Sequence, residues 1–488
     1  MKLQKDERRI LAVLVLVSLA LKLSLMSASF DDFDVTYFAH ALDKFDPAHN
    51  YPHFPHYVTY IAVAKLFFLF TDSHRLALIL PNAALGSLAL VPMYYVSRKF
   101  LGKRDSFIAT ALLLLNPLFW LKSEIAMSDV TAAFFLLTGL AFLLYWERER
   151  NLVLASFFSA MALGARQTFG FFIILPLCVL KRKKELLKFI ALTAAFCLVW
   201  YVPLSVSLGG FGVYPAKVFG PNPAAMRESV FAENPPYSLP MRAGLFLYSF
   251  MYTNGINPLN LDITGFLLQN PQYEAVSVGQ VLPFLSVGIG LVGFVIAAFF
   301  LFSFKDFKNK WLPLLWFVPF WIVLFMFQTP NVTKYHLPII PALCLIIAAG
   351  FSQAERKYGR VALYLLILLG GVWFVRGFDL SYTLHSEYPP PVQQIEYLRE
   401  NFDTANITVI GYTDSHHYEW FAPEINYIEP DYKGQGGVDQ SQITGKLFVN
   451  QRAALYLGIP VKNCKEFTRD PMAHFMHTPE VLCEAYEG

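Results

Sequence analysis

Long apolar runs alternate with short charged segments over the first 376 residues of the chain. A helix needs about 20 predominantly apolar residues to cross the ~30 Å hydrocarbon core of a bilayer. About 11 runs approach that length, so the pattern predicts an α-helical polytopic membrane protein. The predicted spans are Ile10–Ala28, Leu76–Val96, Phe107–Leu121, Val130–Trp146, Leu152–Ala165, Phe169–Leu180, Phe189–Ser207, Val281–Phe302, Trp311–Phe327, Leu337–Phe351 and Val361–Val375.

Basic residues predict the orientation of these spans. Lys2, Lys5, Arg8 and Arg9 precede the first run, which places the N-terminus in the cytoplasm because Lys and Arg favour that side. The next polar stretch therefore lies outside the cytoplasm.

One short apolar segment, Tyr57–Phe70, decides the rest of the topology. If it crossed the bilayer, the basic stretch Arg98–Arg104 would lie outside. An interfacial placement keeps every later basic loop inside, so we adopt it. The main outer loops are then residues 30–75 and 209–274.

The last part of the chain, residues 377–488, is more polar and predicts a small extracytoplasmic α/β domain. Val392–Asn401 has a helical pattern, and Ile407–Tyr412 has a strand pattern. A strand followed by a helix is predicted for Lys446–Leu457. Residues 1–376 form the transmembrane module in this scheme.

Composition supports a membrane protein and excludes several other classes. Of the 488 residues, 55% are hydrophobic and 15% are charged, against about 25% charged in a soluble protein. The net charge of +3 is spread over the ends of apolar runs, which argues against nucleic acid as a partner. Five cysteines exclude a disulfide scaffold. Cys464 and Cys483 could pair if the C-terminus lies outside the cytoplasm.

Three carboxylates, Asp31, Asp32 and Asp34, follow the first predicted span directly. Like charges this close raise one another's pKa and need a cation, a proton or a polar substrate nearby. The cluster therefore predicts a functional site on the outer face. The simpler interpretation is that the aspartates mark the exit from the bilayer and cap the next helix.

A second outer loop carries Glu124 and Asp129, and Asp129 stands at the mouth of a predicted span. Taken alone, these residues fit an interfacial loop and a helix cap. Because the predicted topology places them on the same face as the first cluster, a shared polar pocket is favoured.

Among the basic residues predicted on that outer face, Arg166, Lys334 and His336 are the candidates for binding a lipid phosphate. A guanidinium is suited to binding two phosphate oxygens at once. Arg166 could instead extend to the lipid headgroups, and a lone histidine at an interface is more often structural.

The order of these motifs resembles that of GT-C fold integral-membrane glycosyltransferases, the group that includes protein O-mannosyltransferases and lipid A aminoarabinose transferases. The resemblance covers about Leu11–Phe351, with Asp34 at the family's first acidic position and Val35 where a second acid is frequent. Asp31 or Asp32 could supply that second carboxylate. The matching stretches are DVTYFAHAL, HFPHYVTYIAVAKLFF, YYVSRKFLGKR, IAMSDVTAAFF, GARQTFGFFIILP and KYHLPIIP.

The resemblance implies a GT-C-like fold and transfer of one sugar from a polyprenyl- or dolichyl-phosphate donor to a lipid, glycan or protein acceptor. By the same resemblance, the reaction would take place on the extracytoplasmic face of the cell membrane, with inversion at the anomeric carbon. Asp34 would be the general base. The oxygens of Asp31, Asp32 and Asp34 could also bind Mg²⁺ or Mn²⁺, so a divalent cation stays open as a cofactor. Asp129 or Glu124 would orient the base or the acceptor, while the departing phosphate would be bound by Arg166, Lys334 and His336.

Two other functions stay open at this stage. Charges at the edge of the membrane also mark substrate pathways, so the protein could be a flippase or transporter of lipid-linked sugars. Within the enzymes, an oligosaccharide transferase or ligase is the alternative. The predicted charges lie at the outer surface rather than at the midplane, and no inverted repeat is visible, which favours an enzyme.

Overall fold

The computed structural model describes residues 3–219, 229–232, 237–254, 291–303, 311–330, 332–411, 415–430, 438–469 and 480–486. Most of these residues are helical, and a small mixed sheet lies near the C-terminus. The helices of the first 386 residues are α1 (Lys5–Ser24), α2 (Phe33–Asp43), α3 (Val58–Thr71), α4 (His74–Leu88), α5 (Leu90–Phe100), α6 (Lys103–Leu115), α7 (Pro117–Lys122), α8 (Ser128–Leu144), α9 (Glu149–Ala165), α10 (Ile174–Val179), α11 (Lys183–Ser207), α12 (Val213–Phe219), α13 (Leu239–Thr253), α14 (Leu291–Ser303), α15 (Trp311–Phe327), α16 (Ile340–Tyr358) and α17 (Arg360–Ser386).

Four described helices are long and apolar enough to cross a bilayer. They are His74–Phe100, which joins α4 and α5, Lys183–Ser207, Thr333–Tyr358 and Arg360–Asn401. Shorter apolar helices, including α3 and α8, accompany them. The chain is therefore an integral membrane protein, while the count of about 11 spans and the interfacial position of α3 stay predictions.

Several predicted spans differ in their bounds from the observed helices; Phe107–Leu121, for example, is interrupted at Asn116 between α6 and α7. The first helix ends at Ser24 rather than Ala28, because the following residues form hydrogen bonds to other parts of the fold. Ser27 N donates to the carbonyl of Glu124, and Ala28 N donates to the carbonyl of Leu384, both at 3.1 Å. The segment leading to the aspartates is thus a fixed loop.

The predicted outer loop 209–274 contains helices α12 and α13, and its residues 220–228, 233–236 and 255–274 lie outside the described residues. The first ten residues of the predicted span Val281–Phe302 also lie outside them; its described part belongs to α14.

The C-terminal part folds as the α/β pattern predicts. Helix α18 (Pro390–Asn401) and strands β1 (Ile407–Ile410) and β3 (Lys446–Asn450) confirm the predicted elements, and helix α17 runs past residue 376 to Ser386. The remaining elements are α19 (Ser415–Phe421), β2 (Asn426–Ile428), α20 (Gln451–Leu457), β4 (Val461–Phe467) and β5 (Glu480–Ala485). The sheet has the order β2-β1-β3-β5-β4, with β1 parallel to β2 and β3, and β5 antiparallel to β3 and β4.

A disulfide between Cys464 and Cys483 joins strands β4 and β5. The same small domain packs on the segment between α1 and α2. Phe30 contacts the rings of Trp420 and Phe421, with both pairs of ring centroids 5.6 Å apart. Helix α19 therefore covers the loop that carries the aspartates.

Candidate active site

The segment 31–34 is held in place by the start of helix α2. Asp32 is the residue before the helix, in extended conformation, and its Oδ1 accepts a hydrogen bond from Asp34 N at 3.1 Å. This bond satisfies one of the free amides of the first turn. The simpler interpretation of the cluster, a helix cap, is therefore correct for Asp32. All three aspartates are nevertheless buried, which a solvated cap does not require.

Lys334 lies between two of these carboxylates. Its Nζ is 3.1 Å from Asp32 Oδ2 and 3.1 Å from Asp34 Oδ2, and its side chain is only 5% exposed. Lys334 belongs to the 3-10 helix Thr333–Ile339 that precedes α16. The 3-10 helix tolerates Pro338, which has no amide hydrogen to donate. Lys334 therefore lies just before the long apolar helix α16.

His53 contacts the other oxygen of Asp34, with Nε2 3.2 Å from Oδ1. A tight turn returns the chain to this point: Asp46 and Tyr51 form a two-way backbone bridge. Sequence reasoning missed His53, although it lies in the same predicted outer loop as Asp34.

The pKa values of the two aspartates move in opposite directions. Burial opposes ionisation of Asp34, but Lys334 and His53 outweigh it and hold the pKa of Asp34 below its usual range. Asp32 lacks the histidine; burial raises its pKa, and Lys334 offsets this only in part. The surroundings of Asp34 therefore stabilise its ionised form more than those of Asp32 do.

Arg166 and Asp129 form a second buried pair next to this cluster. Arg166 Nη1 donates to Asp129 Oδ2 at 3.1 Å and to Ser128 Oγ at 3.4 Å. The guanidinium is close enough to Asp34 to favour its ionised form. The structure thus brings Arg166, Asp129 and Lys334 together with the segment 31–34.

Buried polar and small residues support the second pair. Asn82 on α4 donates to the carbonyls of Ile125 and Met127 at 2.7 and 2.6 Å, which fixes the loop before α8 and hence Asp129. Gly164 allows α9 to approach α3 closely, because a Cβ at this position would lie 2.3 Å from Thr59 Oγ1. Arg166 follows two residues later at the end of α9.

Two predicted site residues face elsewhere. Glu124 accepts a hydrogen bond from Trp120 Nε1 at 2.7 Å, and burial raises its pKa well above the usual range. His336 Nε2 lies 2.7 Å from Ser249 Oγ, and its ring packs against Phe246 and Phe250 on α13. Both side chains lie in their own packed surroundings rather than on the aspartates.

Two further cations surround the aspartates. Arg469 of the C-terminal domain donates from Nη1 to Asp31 Oδ1 at 2.6 Å. Lys122, the last residue of α7, is buried within electrostatic reach of Asp32 and Asp129, and burial lowers its pKa. No spacing in the sequence links Arg469 to Asp31, since 438 residues separate them.

The carboxylates do not fit a divalent cation as they are arranged. Asp32 and Asp34 converge on the ammonium of Lys334, and Asp31 turns to Arg469. A Mg²⁺ or Mn²⁺ site needs several oxygens directed to one point that no fixed positive charge occupies. Within the described residues, no group of three or more His, Cys, Asp or Glu side chains is placed to hold a metal ion.

Solved structures share this fold. ArnT from Cupriavidus metallidurans in the apo state aligns with a TM-score of 0.56 at 12% identity, over 98% of this chain and 98% of that one. The same protein bound to undecaprenyl phosphate aligns with a TM-score of 0.54 at 12% identity, over 99% and 98%. An oligosaccharyltransferase from Archaeoglobus fulgidus in the apo form has a TM-score of 0.54 at 15% identity, over 91% of this chain and 69% of that one.

The chain therefore has the GT-C fold of integral-membrane glycosyltransferases, as the sequence motifs predict. The Archaeoglobus enzyme has also been solved with dolichol phosphate and an inhibitory peptide, and with zinc and sulfate. No protein-family model matches the sequence, and no curated protein matches it significantly.

Proposed function

We propose that this protein transfers a single sugar from a polyprenyl- or dolichyl-phosphate donor to a hydroxyl group of an acceptor outside the cytoplasm, with inversion. The observation that carries the proposal is the buried carboxylate of Asp34. Lys334, at the end of a membrane helix, and His53 hold its pKa below the usual range. Arg166 is close enough to Asp34 to favour its ionised form, so a proton acceptor and cations that suit a phosphate lie in one buried cluster.

The chemistry assigns Asp34 as the general base. The acceptor oxygen attacks the anomeric carbon while Asp34 takes its proton. The bond between that carbon and the phosphate oxygen breaks, and its electron pair stays on the polyprenyl phosphate. One displacement from the opposite side inverts the configuration, and no covalent enzyme intermediate is needed.

Cations lower the barrier by stabilising the charge that grows on the departing phosphate. Arg166 can bind two phosphate oxygens with its planar fork, and Lys334 adds a point charge. Both cations pair with carboxylates in this structure, so the phosphate would share or exchange those partners. His336 is not assigned a direct role, because its ring packs against α13.

An apolar cavity lined by residues on either side of Arg166 in sequence suits part of the isoprenoid chain of the donor. It has a volume of about 250 Å³ and lies among α8, α9 and α11. Leu163 and Phe169, which flank Arg166 in sequence, both line it. A lipid held there would place its phosphate near the guanidinium, since the charged end must leave the apolar cavity.

Three observations support a lipid-linked donor and an outer site. The ArnT structure contains undecaprenyl phosphate, and the Archaeoglobus structure contains dolichol phosphate. The disulfide of the C-terminal domain is typical of an oxidising compartment outside the cytoplasm. The alignment with ArnT covers nearly all of both chains, whereas the oligosaccharyltransferase has about a third of its length unmatched, which supports transfer of one sugar over transfer of an oligosaccharide.

The proposal is tested by reconstituting the purified protein in vesicles with polyprenyl-phosphate sugars and extracted acceptors. We expect sugar transfer by the wild type, and loss of transfer with unchanged lipid binding for Asp34→Asn. Asp43→Asn is the matched control, because Asp43 lies on the same helix but is exposed and pairs with His74. Movement of the carrier lipid across the bilayer without transfer from any donor would contradict the proposal and favour a flippase.

A further inference from the structure

Asp31 is bound by a residue of the C-terminal domain rather than by the membrane module. Arg469 Nη1 lies 2.6 Å from Asp31 Oδ1, and the side chains of the two residues are 0% and 2% exposed. A second nitrogen, Nη2, donates to the carbonyl of Thr383 on α17 at 3.4 Å. One guanidinium thus joins the aspartate segment, a membrane helix and the outer domain.

The sheet fixes the position of Arg469. It follows strand β4 by two residues, and the disulfide ties that strand to β5. Gln393 on α18 donates to the carbonyl of Thr468 at 3.1 Å, directly before Arg469. The folded domain therefore fixes the backbone position from which the side chain of Arg469 reaches Asp31.

The surrounding interface brings the domain onto the same helix that carries Asp34. Tyr37, one turn after Asp34 on α2, forms a hydrogen bond with His416 on α19. Trp420 on α19 makes an edge contact with His40 of α2 at 4.8 Å between ring centroids. Arg469 adds a buried charge to this interface, and it binds the residue that immediately precedes the cap of α2.

We infer that Arg469 is a positioning residue, through which the C-terminal domain fixes the segment 31–34 and completes the active site. The part of this inference that concerns catalysis rests on the proposed function. Because Asp31 is adjacent to Asp32, a shift of Asp31 also moves the cap of α2 and, through it, Asp34. Loss of Arg469 leaves Asp31 buried without its partner, which drives the segment toward water.

The test compares Arg469→Gln and Arg469→Lys with the control Arg399→Gln in the full-length protein. Arg399 lies in the same domain but pairs with Glu424 at a partly exposed position. We expect Arg469→Gln to lower kcat by about 10- to 100-fold, the scale of a small misplacement of reacting groups, with a donor KM within about threefold of the wild type. Arg469→Lys keeps the charge and should recover part of kcat, whereas Arg399→Gln should match the wild type.

Hydrogen exchange supplies a readout that does not depend on transfer. In Arg469→Gln the amides of α2 should exchange faster, while those of β1 and β3 should stay protected because the domain remains folded. Combining Asp31→Asn with Arg469→Gln should restore part of this protection, since neither partner is then left charged and unpaired.

The inference is overturned if Arg469→Gln equals Arg399→Gln in both kcat and exchange of α2. If the wild type transfers no sugar, the proposed function is wrong. Hydrogen exchange of the α2 amides alone then tests whether Arg469 fixes the segment 31–34. Faster exchange of α2 in Arg469→Gln then supports Arg469 as the contact that fixes this segment, and unchanged exchange refutes it. General loss of protection in β1 and β3 would show a role in folding of the domain and would also refute the inference.

Discussion

The helical segment Thr333–Tyr358 carries an ion pair at each end, and the two pairs differ in their surroundings. At one end Lys334 binds Asp34 at 3.1 Å, with side chains 5% and 9% exposed. At the other end Glu355 binds Arg104 through two bonds of 2.7 Å, with side chains 28% and 59% exposed. The exposed pair has the shorter bonds.

Bond length alone therefore does not reveal which pair has a function. An exposed pair loses most of its attraction to water and salt, and contributes about 0–1 kcal/mol to stability. A buried pair is costly to assemble and costly to break, so it persists where the charges are needed. Neutralising each end of this helix in turn provides a direct comparison.

The largest effect is expected for Lys334→Met. The change leaves Asp32 and Asp34 without their shared cation, so we expect a loss of about 3–5 kcal/mol in the free energy of unfolding. Transfer should fall more than about 100-fold, because the site also loses a charge that stabilises the leaving phosphate. Thermal unfolding in detergent and transfer assays measure the two effects. Lys334→Arg, which keeps the charge, is the control. An unchanged free energy of unfolding in Lys334→Met would contradict the contribution of the buried ion pair to stability.

A smaller effect is expected for Arg166→Lys. Lysine keeps the charge but loses the planar fork, so the KM for the lipid donor should rise by about tenfold while kcat changes less. Steady-state kinetics with varied donor provide the measurement. Arg182→Lys, at a site 75% exposed, is the matched control. An unchanged donor KM for Arg166→Lys would remove Arg166 from the phosphate site.

His53→Ala should change the pH dependence more than the maximum rate. His53 lowers the pKa of Asp34, so its removal lets that pKa rise, and the base becomes protonated at a higher pH. The acid limb of kcat/KM should therefore move upward in pH. The control is His49→Ala, because His49 is an exposed residue of the same loop. This variant should leave the acid limb of kcat/KM at the same pH. A limb that moves downward in His53→Ala would contradict the assignment of Asp34 as the base.

The smallest effect is expected at the exposed end of the helix. Glu355→Ala should change the free energy of unfolding by no more than about 1 kcal/mol and leave transfer unchanged. Parallel unfolding and transfer assays with Lys334→Met check this. A loss of transfer equal to that of Lys334→Met would erase the distinction between the two ends.

Sequence patterns predicted the parts of the site that depend on topology. The alternating direction of the predicted spans puts Asp34, Asp129, Arg166 and Lys334 on the same face of the membrane, so they could be expected to meet there. The paired strand and helix elements of the C-terminal domain follow from local periodicity.

The missed contacts depend on packing between distant segments. Arg469 reaches Asp31 because the sheet docks on the first outer loop, and no local pattern encodes that docking. His336 was grouped with Lys334, but side chains two residues apart on a 3-10 helix point in different directions, so His336 faces α13. The contact of Glu124 with Trp120 had a local signal, since residues four apart can meet at the end of a helix.

In the proposed reaction Asp34, rather than its neighbour Asp32, accepts the proton. This assignment is tested most directly by measuring kcat/KM for Asp34→Asn and Asp32→Asn side by side, because asparagine still caps a helix and preserves the start of α2. We predict a fall of about 100-fold or more for Asp34→Asn and less than about tenfold for Asp32→Asn. The reverse order, or equal losses in two proteins of equal stability, would contradict the account.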